Sequence, residues 1–306
     1  KEPLCCRNSS TKHTSFWEAA KSCWIRRALR IFPLYYLVVI LATLFNDNEL
    51  RDALIYNLTY TSNFYFIKTQ HWTSTFSHFW SLSVEEYFYL GWPLIALTLN
   101  KKTLMSVIAL IAAIALIFKY ISFSETYDYF TVHIHTISCL DLFMYGALLA
   151  YFLKWKEALF YHIFSSPIAK YLIIIGLLLS YSWVLISPNS HFYVWVFFRT
   201  LFEIFCAGLS GLTVIGFKGG IGRILENRWL LRGGVLSYAI YLLHNFVPGI
   251  LMGIKKLELP LFFNLLVYFI VTIILSELVH RLVERPVRKM GDRFRLELTK
   301  ESSPLK

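Results

Sequence analysis

His78-Phe79-Trp80-Ser81-Leu82-Ser83-Val84-Glu85-Glu86-Tyr87-Phe88-Tyr89-Leu90-Gly91-Trp92-Pro93 opens an apolar run that continues to Asn100. A run of this length reads as a membrane-spanning helix, which needs about 20 mostly apolar residues. Two adjacent carboxylates, Glu85 and Glu86, lie inside it. A carboxylate at mid-span costs roughly 2.5–3.5 kcal/mol unless it is paired, hydrated or neutralised. At 3.6 residues per turn, His78, Ser81 or Leu82, Glu85, Tyr89 and Trp92 share one face. That face carries a base, a hydroxyl, a carboxylate and two large rings. It is either an anchor whose polar groups meet lipid headgroups or a polar site sunk into a helix bundle.

Working outward, the whole chain has the composition of a membrane protein. Its 306 residues are 57% hydrophobic, 18% aromatic and 16% charged, with a mean hydropathy of +0.53. Soluble domains average about 45–50% apolar and about 25% charged. Thirty basic against 19 acidic side chains give a formal charge of +11. In a polytopic protein that excess belongs in cytoplasmic loops facing anionic lipid, so no nucleic-acid partner is expected. The five cysteines (Cys5, Cys6, Cys23, Cys139 and Cys206) show no CxxC and no even framework. Neither a metal site nor a disulfide scaffold is therefore expected. Residues 1–30 carry no signal peptide, and the polar start without Met is read as the interior of a longer protein.

The expected fold is all-α, a polytopic transmembrane helix bundle of about eight spans. These fall near 34–45, 79–99, 103–121, 137–153, 169–187, 192–216, 233–254 and 261–283. Residues 51–67 are apolar but dotted with Asn, Thr and Ser. The positive-inside rule decides whether they cross. If they do not, Lys101, Lys102, Lys154, Lys156, the stretch from Lys218 to Arg232 and the tail from Arg281 to Arg295 all fall inside. If they do, those basic clusters lie outside. The expectation is therefore both ends cytoplasmic, with 46–77 an outer loop holding a re-entrant or surface-lying segment.

Other polar groups lie within or beside spans. Arg27 and Arg30 share a face at the inner end of the first span, as snorkelling anchors or as a grip on phosphate. Ser237, Tyr241 and His244 share another. Arg199 and Glu203 are four apart and are read as neutralising each other. Asp141 and Glu277 look isolated. Asn8 and Asn57 head short glycosylation patterns that are frequent by chance.

Four stretches together resemble the integral-membrane acyltransferase family 3, the bacterial O-acyltransferases that decorate surface glycans. They are Arg26-Arg27-Ala28-Leu29-Arg30-Ile31-Phe32-Pro33-Leu34-Tyr35-Tyr36, the His78–Pro93 stretch, Ser237-Tyr238-Ala239-Ile240-Tyr241-Leu242-Leu243-His244, and Glu284-Arg285-Pro286. The segment from Leu140 to Ala150 is similar to the family's Gly-Ala segment. The second stretch is the most specific, and the set covers nearly the whole chain. The resemblance implies one membrane acyltransferase domain over 1–290, lacking N-terminal helices, with 291–306 a polar cytoplasmic tail. It implies transfer of an acyl group, usually acetyl, from acyl-CoA to a hydroxyl of a carbohydrate or lipid-linked glycan acceptor. A family His carried on a first helix has no counterpart here, since His13 lies in a polar segment.

Acyl transfer to a hydroxyl needs a base for the acceptor proton and anchoring for the donor's phosphates. The candidate catalytic residues are Glu85, His78 and His244, with Glu86 a weaker carboxylate pointing about 100° away around the helix. Arg26, Arg27 and Arg30 are the candidates for the phosphates of acetyl-CoA. Trp80, Ser81, Tyr89, Ser237 and Tyr241 are the candidates for the acceptor. No metal and no permanently bound cofactor are expected, and the partners are the lipid bilayer, acyl-CoA and the glycan. A glycan or lipid transporter would also suit intramembrane charges, although no inverted repeat is visible. A non-catalytic relative or membrane scaffold would leave the shared His, Glu, Ser and Tyr faces unexplained.

Overall fold

The computed structural model describes residues 16–44, 48–125, 129–186, 192–254 and 260–289. The start up to Ser15, including Cys5, Cys6, Asn8 and His13, and the tail from 290 lie outside the described residues. Among the described residues the secondary structure is helical, with no strand. Five helices are long and apolar enough to cross a membrane, and a bent pair makes a sixth if it counts as one span. Two of the expected spans do not qualify on length and apolarity alone. Helix α5 (Phe79–Thr98) carries Glu85 and Glu86. The stretch 233–254 is divided between two shorter helices.

The helices fall into two compact units. The first contains residues 66–70 and 84–226 together with 16–20. Its helices are the later part of α5, α6 (Lys101–Glu125), α7 (Tyr129–Ile134), α8 (Leu140–Trp155), α9 (Glu157–Ser165), α10 (Pro167–Ile186), α11 (Phe192–Ile215) and α12 (Gly219–Leu225). Helix α6 lies against α8, and α10 against α11. Leu104, Ile108, Met144 and Tyr151 form one core, with Phe88 and Trp92 packed on it. Close approach of α11 needs missing side chains: a Cβ on Gly211 would meet the Phe164 ring at 2.4 Å, and one on Gly176 the Phe205 ring at 2.2 Å. Small residues let helix backbones meet closely where lipid supplies no hydrophobic drive.

The link expected between the spans 137–153 and 169–187 is itself helical. Phe160 and Phe164, one turn apart on α9, are buried against Leu212. Ser166 is extended ahead of Pro167, and α10 leaves at 71° to α9. The residue before a proline avoids the helical region, which accounts for the bend.

Inside this unit charge is paired with charge. Fully buried Lys119 on α6 bonds Asp141 on α8 at 2.5 Å and Glu203 on α11 at 3.4 Å. Arg199 donates through Nε to Glu203 at 2.9 Å, and its Nη1 lies 3.2 Å from His133 Nδ1. Burial first, then the charges of Arg199 and Lys119, hold His133 down to about 3. It therefore accepts as a neutral ring. The Arg199–Glu203 pairing is as expected, whereas Asp141 is not isolated. Its partner, Lys119, lies in an otherwise apolar stretch. Two cations and two carboxylates thus cancel in low dielectric.

The second unit holds residues 21–65, 71–83 and 227 onward. Helix α1 (Phe16–Leu44) runs straight through Pro33, so the helix starts well before the expected boundary at Leu34 and includes Arg26, Arg27 and Arg30. The segment 46–77 contains only short helices, α2 (Asn48–Asp52), α3 (Leu54–Leu58) and α4 (Ser62–Thr69). None has the length of a span. Tyr35 anchors them: its ring stacks on Tyr60 at 4.2 Å, and its hydroxyl donates to the Asn57 carbonyl at 2.9 Å. Asn57 is fully buried, which argues against its glycosylation pattern. Cys23 is disulfide-bonded, contrary to the expectation, while Cys139 and Cys206 are free.

Helix α13 (Arg228–Leu243) packs on α15 (Leu261–Val279). Glu277, expected to be isolated, accepts from Arg232 Nε and Nη2 at 2.8 Å each and from Arg281 Nε at 2.5 Å. Two contacts align α1 with α13. Tyr238 donates to the Ile31 carbonyl at 2.9 Å. One turn further along both helices, Tyr35 meets Phe79, and Leu242 meets the adjoining His78. The two helices therefore run parallel, with Arg26, Arg27 and Arg30 toward the end that carries Arg232.

The buried ion network makes a prediction. Removing one partner leaves a bare charge, at a cost of about 3–5 kcal/mol, whereas replacing both with apolar residues is close to neutral. Lys119→Met should sharply lower thermal stability in detergent, and Lys119→Met with Asp141→Leu should recover much of the loss.

Candidate active site

The site grows from a break in a helix that the apolar pattern reads as continuous. Helix α13 ends at Leu243, His244 and Asn245 form a turn, and α14 (Phe246–Ile254) restarts. Pro248 has no N–H to offer the His244 carbonyl four residues back, so an unbroken ladder is impossible there. The freed Asn245 side chain donates through Nδ2 to His78 Nδ1 at 2.9 Å and to Ser77 Oγ at 3.3 Å.

His78, one residue ahead of α5, is buried. Its Nε2 lies 3.3 Å from the Leu242 carbonyl oxygen. A carbonyl only accepts and an amide nitrogen only donates. The network therefore assigns the proton to Nε2 and the lone pair to Nδ1. Burial first, then the His244 charge, push His78 down to about 3, against the opposing effect of the Leu242 bond. His78 is thus neutral at physiological pH with both nitrogens engaged. The structure gives it a positioning role.

Ser81 and Tyr241 meet across the same spot. The Tyr241 hydroxyl donates to the His78 carbonyl at 2.8 Å and makes a short hydrogen bond with Ser81 Oγ. Ser81 Oγ also lies 3.1 Å from that carbonyl, one turn back along its own chain. These bonds tie the start of α5 to the end of α13.

His244 is held differently. Its Nδ1 donates to the Tyr241 carbonyl at 2.7 Å, and the residue is exposed. Its ring lies 4.9 Å from that of His78. A bonded Nδ1–H fixes the tautomer and leaves the Nε2 lone pair to accept a proton. An oriented imidazole with one open nitrogen, beside two linked hydroxyls, is the equipment of a general base acting on a hydroxyl.

The structure brings together His78, Ser81, Tyr241 and His244 from the sequence-derived set. Ser237 is exposed, one turn before Tyr241, and Trp80 and Tyr89 are half-buried. The two carboxylates are reversed in burial: Glu86 is buried, sharing a face with fully buried Ser83, whereas Glu85 is only partly covered. Arg26 Nη2 approaches Cys23 Sγ at 3.7 Å, Arg27 is half-buried and Arg30 is exposed. Asn245 was missed, although a polar residue between His244 and Pro248 in an apolar run marks a break. Among the described residues, no cluster of three or more His, Cys, Asp or Glu is arranged to hold a metal ion.

The helices define a multi-pass membrane protein with a histidine–hydroxyl site at a helix break. The chain belongs to the acyltransferase family 3, whose model, described as "Acyltransferase domain", matches residues 13–281. It is 28% identical over 295 residues to the Bacillus subtilis (strain 168) protein named "Putative peptidoglycan O-acetyltransferase YrhL", covering 88% of this chain and 46% of that protein. It is 30% identical over 301 residues to "Putative O-acetyltransferase SACOL0978" of Staphylococcus aureus (strain COL), covering 89% of this chain and 48% of the relative. It is 24% identical over 294 residues to "Peptidoglycan O-acetyltransferase OatA" of Listeria monocytogenes, covering 89% and 47%. The chain thus spans about half the length of these curated relatives. No solved structure matches it.

The neutral state of His78 sets a pH dependence. Its folded-state value lies below the ordinary one of 6.5, so the stability it contributes is complete above pH 6.5. That stability is lost as the pH falls from there toward 3, on the order of 5 kcal/mol in all. Unfolding followed against pH should show this acid limb in the wild type and a flatter one in His78→Gln.

Proposed function

We propose that this protein transfers an acyl group, acetyl foremost, from acyl-CoA to a hydroxyl of a cell-surface carbohydrate. Membership of the acyltransferase family supports the reaction class, and the printed names of the relatives direct attention to peptidoglycan as acceptor. The observation that carries the site is His244, whose Nδ1 is bonded to the Tyr241 carbonyl while Nε2 has no partner among the described residues. In this reading Nε2 takes the acceptor's hydroxyl proton as the oxygen attacks the thioester carbonyl. The C–S bond then breaks, and the proton leaves with the CoA sulfur.

The remaining groups hold this arrangement. Asn245 and the Leu242 carbonyl fix the His78 ring. Ser81 and Tyr241 fix the backbone on which His244 leans. In this reading Glu85, the less buried of the two carboxylates, orients substrate or exchanges a proton. Trp80, Tyr89 and Ser237 offer stacking and a hydroxyl to a sugar. Arg26, Arg27 and Arg30 offer guanidinium groups to the donor's phosphates.

The same reading places the chain in the cytoplasmic membrane with eight crossings, counting α5 and the broken α13–α14. Both ends then face the cytoplasm, because the basic clusters fall on one side only under that arrangement.

Transfer of label from radiolabelled acetyl-CoA in membranes tests the assignment. Loss of a positioned general base costs about 10²–10⁴-fold in rate. His244→Gln should fall by this much while still inserting. Glu85→Gln should lose transfer as well, and full activity in His244→Gln would remove the proposed base.

A further inference from the structure

A basic concavity lies in the second unit, and His244 is not part of its lining. A cavity of about 670 Å³ is lined by Arg232, Val235, Glu277, His280, Arg281, Arg285 and Arg288. Four guanidinium groups thus face one carboxylate in its wall. Glu277 holds two of them, taking Arg232 in a two-pronged grip and Arg281 through Nε. Among the described residues Arg285 and Arg288 pair with no carboxylate.

The backbone explains why these arginines converge. Pro286 lacks the N–H that would continue the α-helical ladder. The chain widens into a π-helical turn over His280–Glu284, and the Arg285 N–H bonds to the His280 carbonyl five residues back. Such turns are found frequently at functional sites. The widened turn is pinned by His280 Nδ1 against Glu284 at 2.7 Å. Glu284 Oε2 is thereby occupied within its own helix, while its Oε1 is buried without a hydrogen-bond partner among the described residues. Snorkelling anchors spread around a helix end to reach headgroups separately. Here the groups come from α13 and from the end of α15 and share one hollow.

We propose that the Arg232–Arg281–Arg285–Arg288 cavity is a phosphate site that binds a ligand carrying at least two negative charges. Guanidinium groups match phosphate oxygens in bidentate fashion, and Glu277 sets two of them in place beforehand. Two sources offer this chemistry: the phosphates of a soluble nucleotide-type molecule such as coenzyme A, or the headgroup phosphate of an anionic lipid. The proposal does not depend on acyl transfer, because it is read by binding without turnover.

The test uses the purified protein in nanodiscs, with calorimetric titration of coenzyme A and of inorganic pyrophosphate. A second arm compares thermal stability in phosphatidylglycerol and in pure phosphatidylcholine nanodiscs. Arg285→Ala with Arg288→Ala should keep the ligand-free melting temperature of the wild type in phosphatidylcholine. It should bind coenzyme A and pyrophosphate about tenfold or more weakly. Arg288→Gln alone serves if the double variant does not fold, and Arg223→Ala, outside the cavity, should bind as the wild type does. Loss of the soluble probes identifies a nucleotide-type ligand. Loss only of the phosphatidylglycerol-dependent stabilisation identifies a lipid headgroup. Unchanged response to every probe in the cavity variants overturns the site.

Discussion

A polar group buried in lipid-embedded protein has no water to fall back on, and most of this fold follows from meeting that constraint. Lys119 is the clearest case. Its ammonium is fully buried between Asp141 and Glu203, and Arg199 completes the balance through Glu203. Helices α6, α8 and α11 are fastened by charge where shape alone would leave them free to slide. The same logic holds His78, which is kept neutral and bonded at both nitrogens. Groups satisfied in this way shape the protein and are not available to react.

The chemistry then belongs to groups that are oriented but left open. Among the described residues His244 is bonded on one nitrogen only. Arg285 and Arg288 stand in a basic hollow beside arginines that Glu277 already holds. Each of these places lies where a proline prevents a regular helix, Pro248 after His244 and Pro286 after the widened turn. Irregular backbone in a membrane protein must be repaid by neighbouring polar groups, and Asn245 and the His280–Glu284 pair supply them.

Much of the architecture was legible in the sequence because the bilayer imposes a simple rule of length and apolarity. The helical class and the core extents of α6, α10, α11 and α15 follow from it, whereas the non-crossing of 51–67 was argued from the placement of basic residues. Helical periodicity put His78 and Ser81 on one face and Tyr241 and His244 on another, but that the two faces meet could not be read from it. What could not be read was long-range pairing. Asp141 looks solitary because its partner Lys119 is 22 positions away, and Arg232, which grips Glu277, is 45 away, although the Glu277–Arg281 pair at four residues' spacing could have been read. Periodicity also cannot rank residues from two different helices: His78 and His244 look alike until the partners of each nitrogen are known. The burial of Glu86 over Glu85 depended on which face of α5 turns inward.

The most direct test of this account is carbethoxylation of the protein in membranes, with modified histidines located by mass spectrometry and acetyl transfer measured on the same samples. The account predicts that His244 reacts first, that His78 is spared, and that activity falls in step with His244 modification. Early modification of His78 with loss of activity, while His244 stays unmodified, would contradict it.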